Sequence, residues 1–142
     1  MNKKHAPLAA ILAALACLAA PASGDARPAH RQSPRPMKPE EMLKLDPSAR
    51  VEQRCNARAM GEVGREHKGM RPDEFVAYAF ADTQVNGATV KAPGAAVRSR
   101  GAWYHVSYEC ETADNGLSIR SFSYVLGDEI PKKDWDEHYL VP

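Results

Sequence analysis

The sequence holds 142 residues, with 19 basic side chains against 18 acidic ones and a formal net charge of +1. That balance excludes the basic face a nucleic-acid binder needs, and equally the acid excess of a bulk cation buffer. The length allows one small domain beside any targeting segment, and is too short for two domains.

In chain order, the first feature is an export pattern. Met1 to Pro7 carries Lys3 and Lys4 and no acid, and Leu8 to Ala20 is an uncharged apolar run. Ala20-Pro21-Ala22 supplies the small-x-small end that a signal peptidase reads. Residues 1–22 therefore read as a signal peptide. The apolar run is shorter than the roughly 20 residues that span a bilayer, so no transmembrane anchor is expected. Cys17 reads as a small apolar residue of the signal core. Leu15 stands one place out of register for a lipoprotein motif, and apolar Leu18-Ala19-Ala20 follows it. Lys3 and Lys4 leave with the signal, so 17 basic residues face 18 acidic ones in the mature chain. The expected location is periplasmic or secreted.

Residues 23–39 hold proline, arginine and small polar side chains, with Met37 as the one large apolar residue. They cannot bury enough surface to offset their ordering entropy and read as a solvated linker. Residues 40–142 remain as a single domain.

Glu40 to Leu45 reads as a short helical turn. Asp46-Pro47 then opens the main helix, an acid at the cap and proline at the first helical position. Val51, Cys55, Ala59, Met60 and Val63 recur at helical spacing. A second helix is predicted over RPDEFVAYAF, Arg71 to Phe80. Pro72 opens it, Asp73 and Glu74 favour its first turn, and Phe75, Val76, Ala79 and Phe80 form an apolar stripe. Asp82 to Gly87 reads as a turn.

The remainder reads as β. Short strands are predicted at Ala88 to Lys91 and Ala95 to Ser99, separated by Pro93-Gly94. Ala102 to Glu111 alternates, with Tyr104, Val106, Tyr108 and Cys110 on one face and Trp103, His105, Ser107 and Glu109 on the other. Asn115-Gly116 marks a hairpin turn, and Leu117 to Leu126 is the returning strand. The fold class is α+β: two or three helices packed on one face of a small antiparallel sheet. Cys55 and Cys110 both face the helix–sheet interface, and an exported protein meets an oxidising compartment, so they are predicted to form a disulfide.

CNARAM behind a proline-capped helix start, RPDEFVAYAF, GAAVRSRGAWYHVSYEC and SFSYVLGDEIPKKDW together resemble the bacterial domain-of-unknown-function family 930. The specific parts are Arg98 to Tyr104, the cysteine pair, and Ile130-Pro131 followed by Trp135. The resemblance spans about Glu40 to Leu140. It implies a secreted or envelope-facing α+β domain, sometimes behind a proline-rich spacer, and names no catalytic residue.

Enzyme motifs are missing from the sequence: no G-x-S-x-G, glycine-rich phosphate loop, H-E-x-x-H or C-x-x-C. His105 and Ser107 share a strand face without a third group to orient the histidine. The expectation is a protein without catalytic activity that binds an unknown envelope protein, with Trp103 and His105 as the binding surface. The alternative lies in DWDEHYLVP, Asp134 to Pro142. A helix starting at Asp134 would place Glu137 and His138 on its face. Asp128, Glu129, Asp134, Asp136 and Glu137 would then be candidate ligands for a hard cation, calcium or a lanthanide. A second chain would complete the shell in a metal-bridged homodimer. Acids stabilising a first helical turn, with Trp135 and Leu140 pinning the segment, explain the same residues without any ligand.

Overall fold

A computed structural model describes residues 36–142. The expected signal peptide, Cys17 and most of the expected linker lie outside the described residues. Among the described residues, two α-helices, three short 3-10 turns and a five-stranded antiparallel sheet make up the fold. Among the described residues no helix is long and apolar enough to cross a membrane.

Helix α1, Pro39–Met42, is a single turn. Helix α2, Pro47–Glu66, begins where the sequence predicts it: the Asp46 carboxylate accepts from the Ser48 amide at 3.0 Å and from its hydroxyl at 2.7 Å. Both bonds hold the Asp46 carboxyl below the usual range. Val51, Cys55, Ala59 and Val63 form the buried stripe of α2. Arg50 is buried as well. It donates to the Leu43 carbonyl and the Asn115 side chain, both at 3.3 Å, and so ties the α1 approach and the hairpin turn to the helix.

The strands are β1 (Pro72–Val76), β2 (Gln84–Asn86), β3 (Thr89–Ser99), β4 (Ala102–Ala113) and β5 (Ser118–Glu129). The order is β1-β3-β4-β5, with β2 sharing the β1 side of β3. The predicted helix over Arg71–Phe80 is instead strand β1 followed by a turn. A ten-residue helix is marginal by itself. Pairing Glu74 with Arg98 and Phe75 with Val97 across β3 outweighs its local preference. The predicted turn at Asp82–Gly87 contains β2. The two predicted short strands fuse into β3, where Pro93 and Gly94 form a bulge rather than a break. The hairpin turn falls on Asp114, Asn115 and Gly116, all with positive φ. The helix expected from Asp134 is two 3-10 turns, Lys132–Asp134 and Asp136–His138, ended by Tyr139 at φ 59°.

The main core lies between α2 and the sheet, where Val51, Cys55, Ala59 and Val63 meet Val90, Ala92, Val97, Val106 and Tyr108. Cys55 and Cys110 are bonded across it, with Cα atoms 6.0 Å apart. The sheet's opposite face carries a second core: Ala96 and Trp103 lie under Ala79, Ile130, Trp135 and Leu140. The chain after β5 therefore folds back over one end of that face and leaves the other end open.

Candidate functional site

Trp103 is fully buried, at 0% exposure. Its indole donates to the Val141 carbonyl at 2.8 Å, and the Arg98 guanidinium lies 5.7 Å from its ring centre. The surface expected around Trp103 and His105 is thus corrected: alternation did put Trp103 on the face away from α2, but the returning C-terminal segment covers it. His105 is exposed and packs on Phe80, with ring centres 4.4 Å apart. Phe80 in turn stacks on His138 at 3.8 Å. The His138 Nδ1 stands 2.8 Å from the Ala79 carbonyl, which can only accept, so that nitrogen carries the proton. These contacts clasp the turn after β1 to the last 3-10 turn.

The candidate cation ligands do not converge. Among the described residues no three His, Cys, Asp or Glu side chains are placed to hold a metal ion. Asp128 and Glu129 end β5 in solvent, and Asp136 and Glu137 are exposed on the last 3-10 turn. What organises the segment is apolar. Trp135 is buried and donates to the Ile130 carbonyl at 2.9 Å, Leu140 is buried, and Lys132 stands over the Trp135 ring. The acids are its solvated side, and the lack of a regular helix removes the i, i+3, i+4 face that would have gathered them.

At the end of α2, Tyr124 donates to Glu66 at 2.7 Å and lies 3.1 Å from the His67 Nε2. Loss of hydration and that bond push the Tyr124 phenol up to about 12, so it stays protonated at neutral pH. The trio ties the helix end to β5 and offers no activated nucleophile.

The open end of the second sheet face is where side chains gather without a cover. A groove of about 410 Å³ runs across β2, β3, β4 and β5 there. Gln84, Lys91, Ser107, Glu109, Ser123 and Val125 line it. The register sets them side by side: Lys91 pairs with Gln84 and with Glu109, Glu109 with Ser123, and Ser107 with Val125. Lys91 and Glu109 neutralise one another at 3.0 Å, both well exposed. A second groove of about 330 Å³ adjoins it, sharing Lys91, Glu109 and Ser123 and adding Thr89, Glu111 and Ser121. Sequence reasoning placed Ser107 and Glu109 on this face but missed the groove, because β2 was read as a turn. The row of serines on alternate β5 positions, Ser121 and Ser123, was the available signal.

Compared with known proteins, residues 42–140 match the family model described as Domain of Unknown Function (DUF930). No curated protein and no solved structure matches the chain.

Proposed function

The chain belongs to the DUF930 family, and from its geometry we propose that it is an exported, non-catalytic binding module that holds a polar, uncharged ligand on the open sheet face. The observation that carries the reading is the uncovered groove, in which Gln84, Ser107 and Ser123 stand with the apolar surfaces of Pro93 and Val125 around one internally neutralised Lys91–Glu109 pair. Such a surface offers hydrogen bonds beside apolar contact area and little net field, which suits a neutral glycan or an extended peptide main chain. Export is supported by the N-terminal pattern and by the Cys55–Cys110 bond, since disulfides persist in oxidising compartments.

The test is a glycan and peptide array probed with the chain and with a Ser107→Trp/Ser123→Tyr variant, in which bulk fills the groove. Binding by the natural chain and its loss in the variant, with unchanged thermal unfolding, is the expected result. A ligand retained by the variant places recognition elsewhere. Titration with calcium or a lanthanide is expected to give no saturable heat, because among the described residues no three of the acids gather around one point. A stoichiometric transition lost in Asp134→Asn/Glu137→Gln would restore the cation reading.

A further inference from the structure

Strand β5 is the long edge of the sheet: it pairs with β4 on one side, and among the described residues no strand pairs with its other side. Two main-chain bonds settle which of its groups point outward. The Ile130 amide donates to the Trp103 carbonyl, and the Thr112 amide to the Ala88 carbonyl. Odd-numbered residues of β4 therefore turn their main chain towards β5 and even-numbered ones towards β3. Ser107, Glu109 and Glu111 are opposite Val125, Ser123 and Ser121, so those three β5 residues bond inward. Phe122, Tyr124 and Leu126 are left with N–H and C=O groups aimed outward.

Protein edges of this length are usually blunted by charge, proline or a covering element. Ser121 to Leu126 reads SFSYVL, uncharged and free of proline, and Val125 is 68% exposed. Register shifts bound this stretch at both ends, beside Arg120 and beside Gly127-Asp128. The two charges have opposite sign and stand at equal distance in sequence from Tyr124.

We propose that β5 pairs antiparallel with β5 of a second copy of this chain, about a two-fold axis at Tyr124. That register alone uses all three outward residues: Tyr124 faces the partner's Tyr124, and Phe122 faces the partner's Leu126 in each direction. It also brings Arg120, which already meets Glu111 of its own chain at 3.2 Å, towards the partner's Asp128 on both sides of the axis, so the charges are self-complementary. Shifting the axis to residue 123 or 125 loses one outward pair and sets Arg120 against an uncharged residue. A two-fold axis normal to the sheet keeps both copies of α2 on one face and both grooves on the other. Ser123 then faces the partner's Val125, and Val125 the partner's Ser123. The inference stands on the edge geometry and does not depend on the ligand of the groove.

The intact chain, purified as it accumulates in its host, is examined by sedimentation velocity and amide hydrogen exchange over rising concentration. A dimer is expected, with the Phe122, Tyr124 and Leu126 amides gaining protection together as it forms. Arg120→Glu and Asp128→Arg are each expected to weaken the dimer about tenfold, since two symmetry-related pairs become repulsive. The double variant Arg120→Glu/Asp128→Arg restores it. Both positions are exposed, and intact Trp103 emission checks the fold. A chain that stays monomeric into the millimolar range overturns the proposal. So does a dimer indifferent to both charge reversals, or protection of the three amides that is independent of concentration.

Discussion

Arg98 is 4% exposed, yet every donor it uses has a partner. It bonds Asp73 at 2.9 Å, meets Glu74 at 2.7 Å, donates to the Pro142 carbonyl oxygen at 2.9 Å and stacks on Trp103. One planar guanidinium thereby joins β1, β3, β4 and the C-terminal segment. Replacing it with leucine leaves two partly buried acids facing each other and is expected to cost about 3 kcal/mol in urea unfolding. Arg98→Lys should recover little of that, because a point charge cannot fork to two carboxylates. Tyr108 and Tyr124 make a different expectation at the same scale. Burial first, then the Glu52 charge, raises the Tyr108 phenol, and Tyr124 is raised to about 12. Both folded values lie above the ordinary 10.0, so their contribution is complete below pH 10. It is lost as the pH climbs from there through the folded values, since only the unfolded chain ionises freely. Unfolding midpoints are expected to fall between pH 10 and 12, and the fall should be shallower in Tyr124→Phe.

Among the elements, α2 and β4 are joined by the Cys55–Cys110 bond across 55 residues of sequence. Closing a loop of that length removes unfolded-state entropy worth about 4 kcal/mol in the chain-entropy model. Cys55→Ala/Cys110→Ala should lower stability by about that amount while keeping the far-ultraviolet spectrum. Denaturant unfolding of both forms measures it. Gly94 shows why the turn after β1 sits where it does. A side chain there would collide with the main chain of Phe80 and Ala81, and the Phe80 amide donates to the Gly94 carbonyl at 2.7 Å. Gly94→Ala is expected to cost about 2 kcal/mol and to separate Phe80 from His105 and His138. Loss of the ring-current shifts on both histidines would report it. This contact also explains the misread segment: Arg71–Phe80 carries a helical pattern, but Gly94 and Arg98, some twenty residues away, hold it extended and then turned.

For the whole molecule, the decisive feature is that the sheet carries a core on each face, under α2 on one and under the C-terminal segment on the other. The partial cover creates the groove, because the sheet is longer than the segment that returns over it. Trp135 is the keystone of that cover. Trp135→Ala should cost about 3–5 kcal/mol by the cavity it leaves, and Trp103 emission should shift red as water reaches the indole. The groove reaches the open β5 edge at Ser123 and Val125.

Local physics was enough for the α+β class, the capped start of α2, the alternation of β4, the Asn115-Gly116 turn and the Cys55–Cys110 pair. All but the last depend on neighbours within one turn of helix or one strand pair, and the cysteines, 55 residues apart, were matched by the faces that helix and sheet periods assign them. The second core, β1 and the fate of Trp103 depend on partners far along the chain. Alternation told which way Trp103 points, but not that Ile130, Trp135 and Leu140 would return to cover it. The density of acids near the end suggested a site, yet with 3-10 turns in place of a helix those carboxylates face water separately. Burial is a property of pairs distant in sequence, so the groove and the free edge became visible only once the tertiary structure had decided which surfaces were left over.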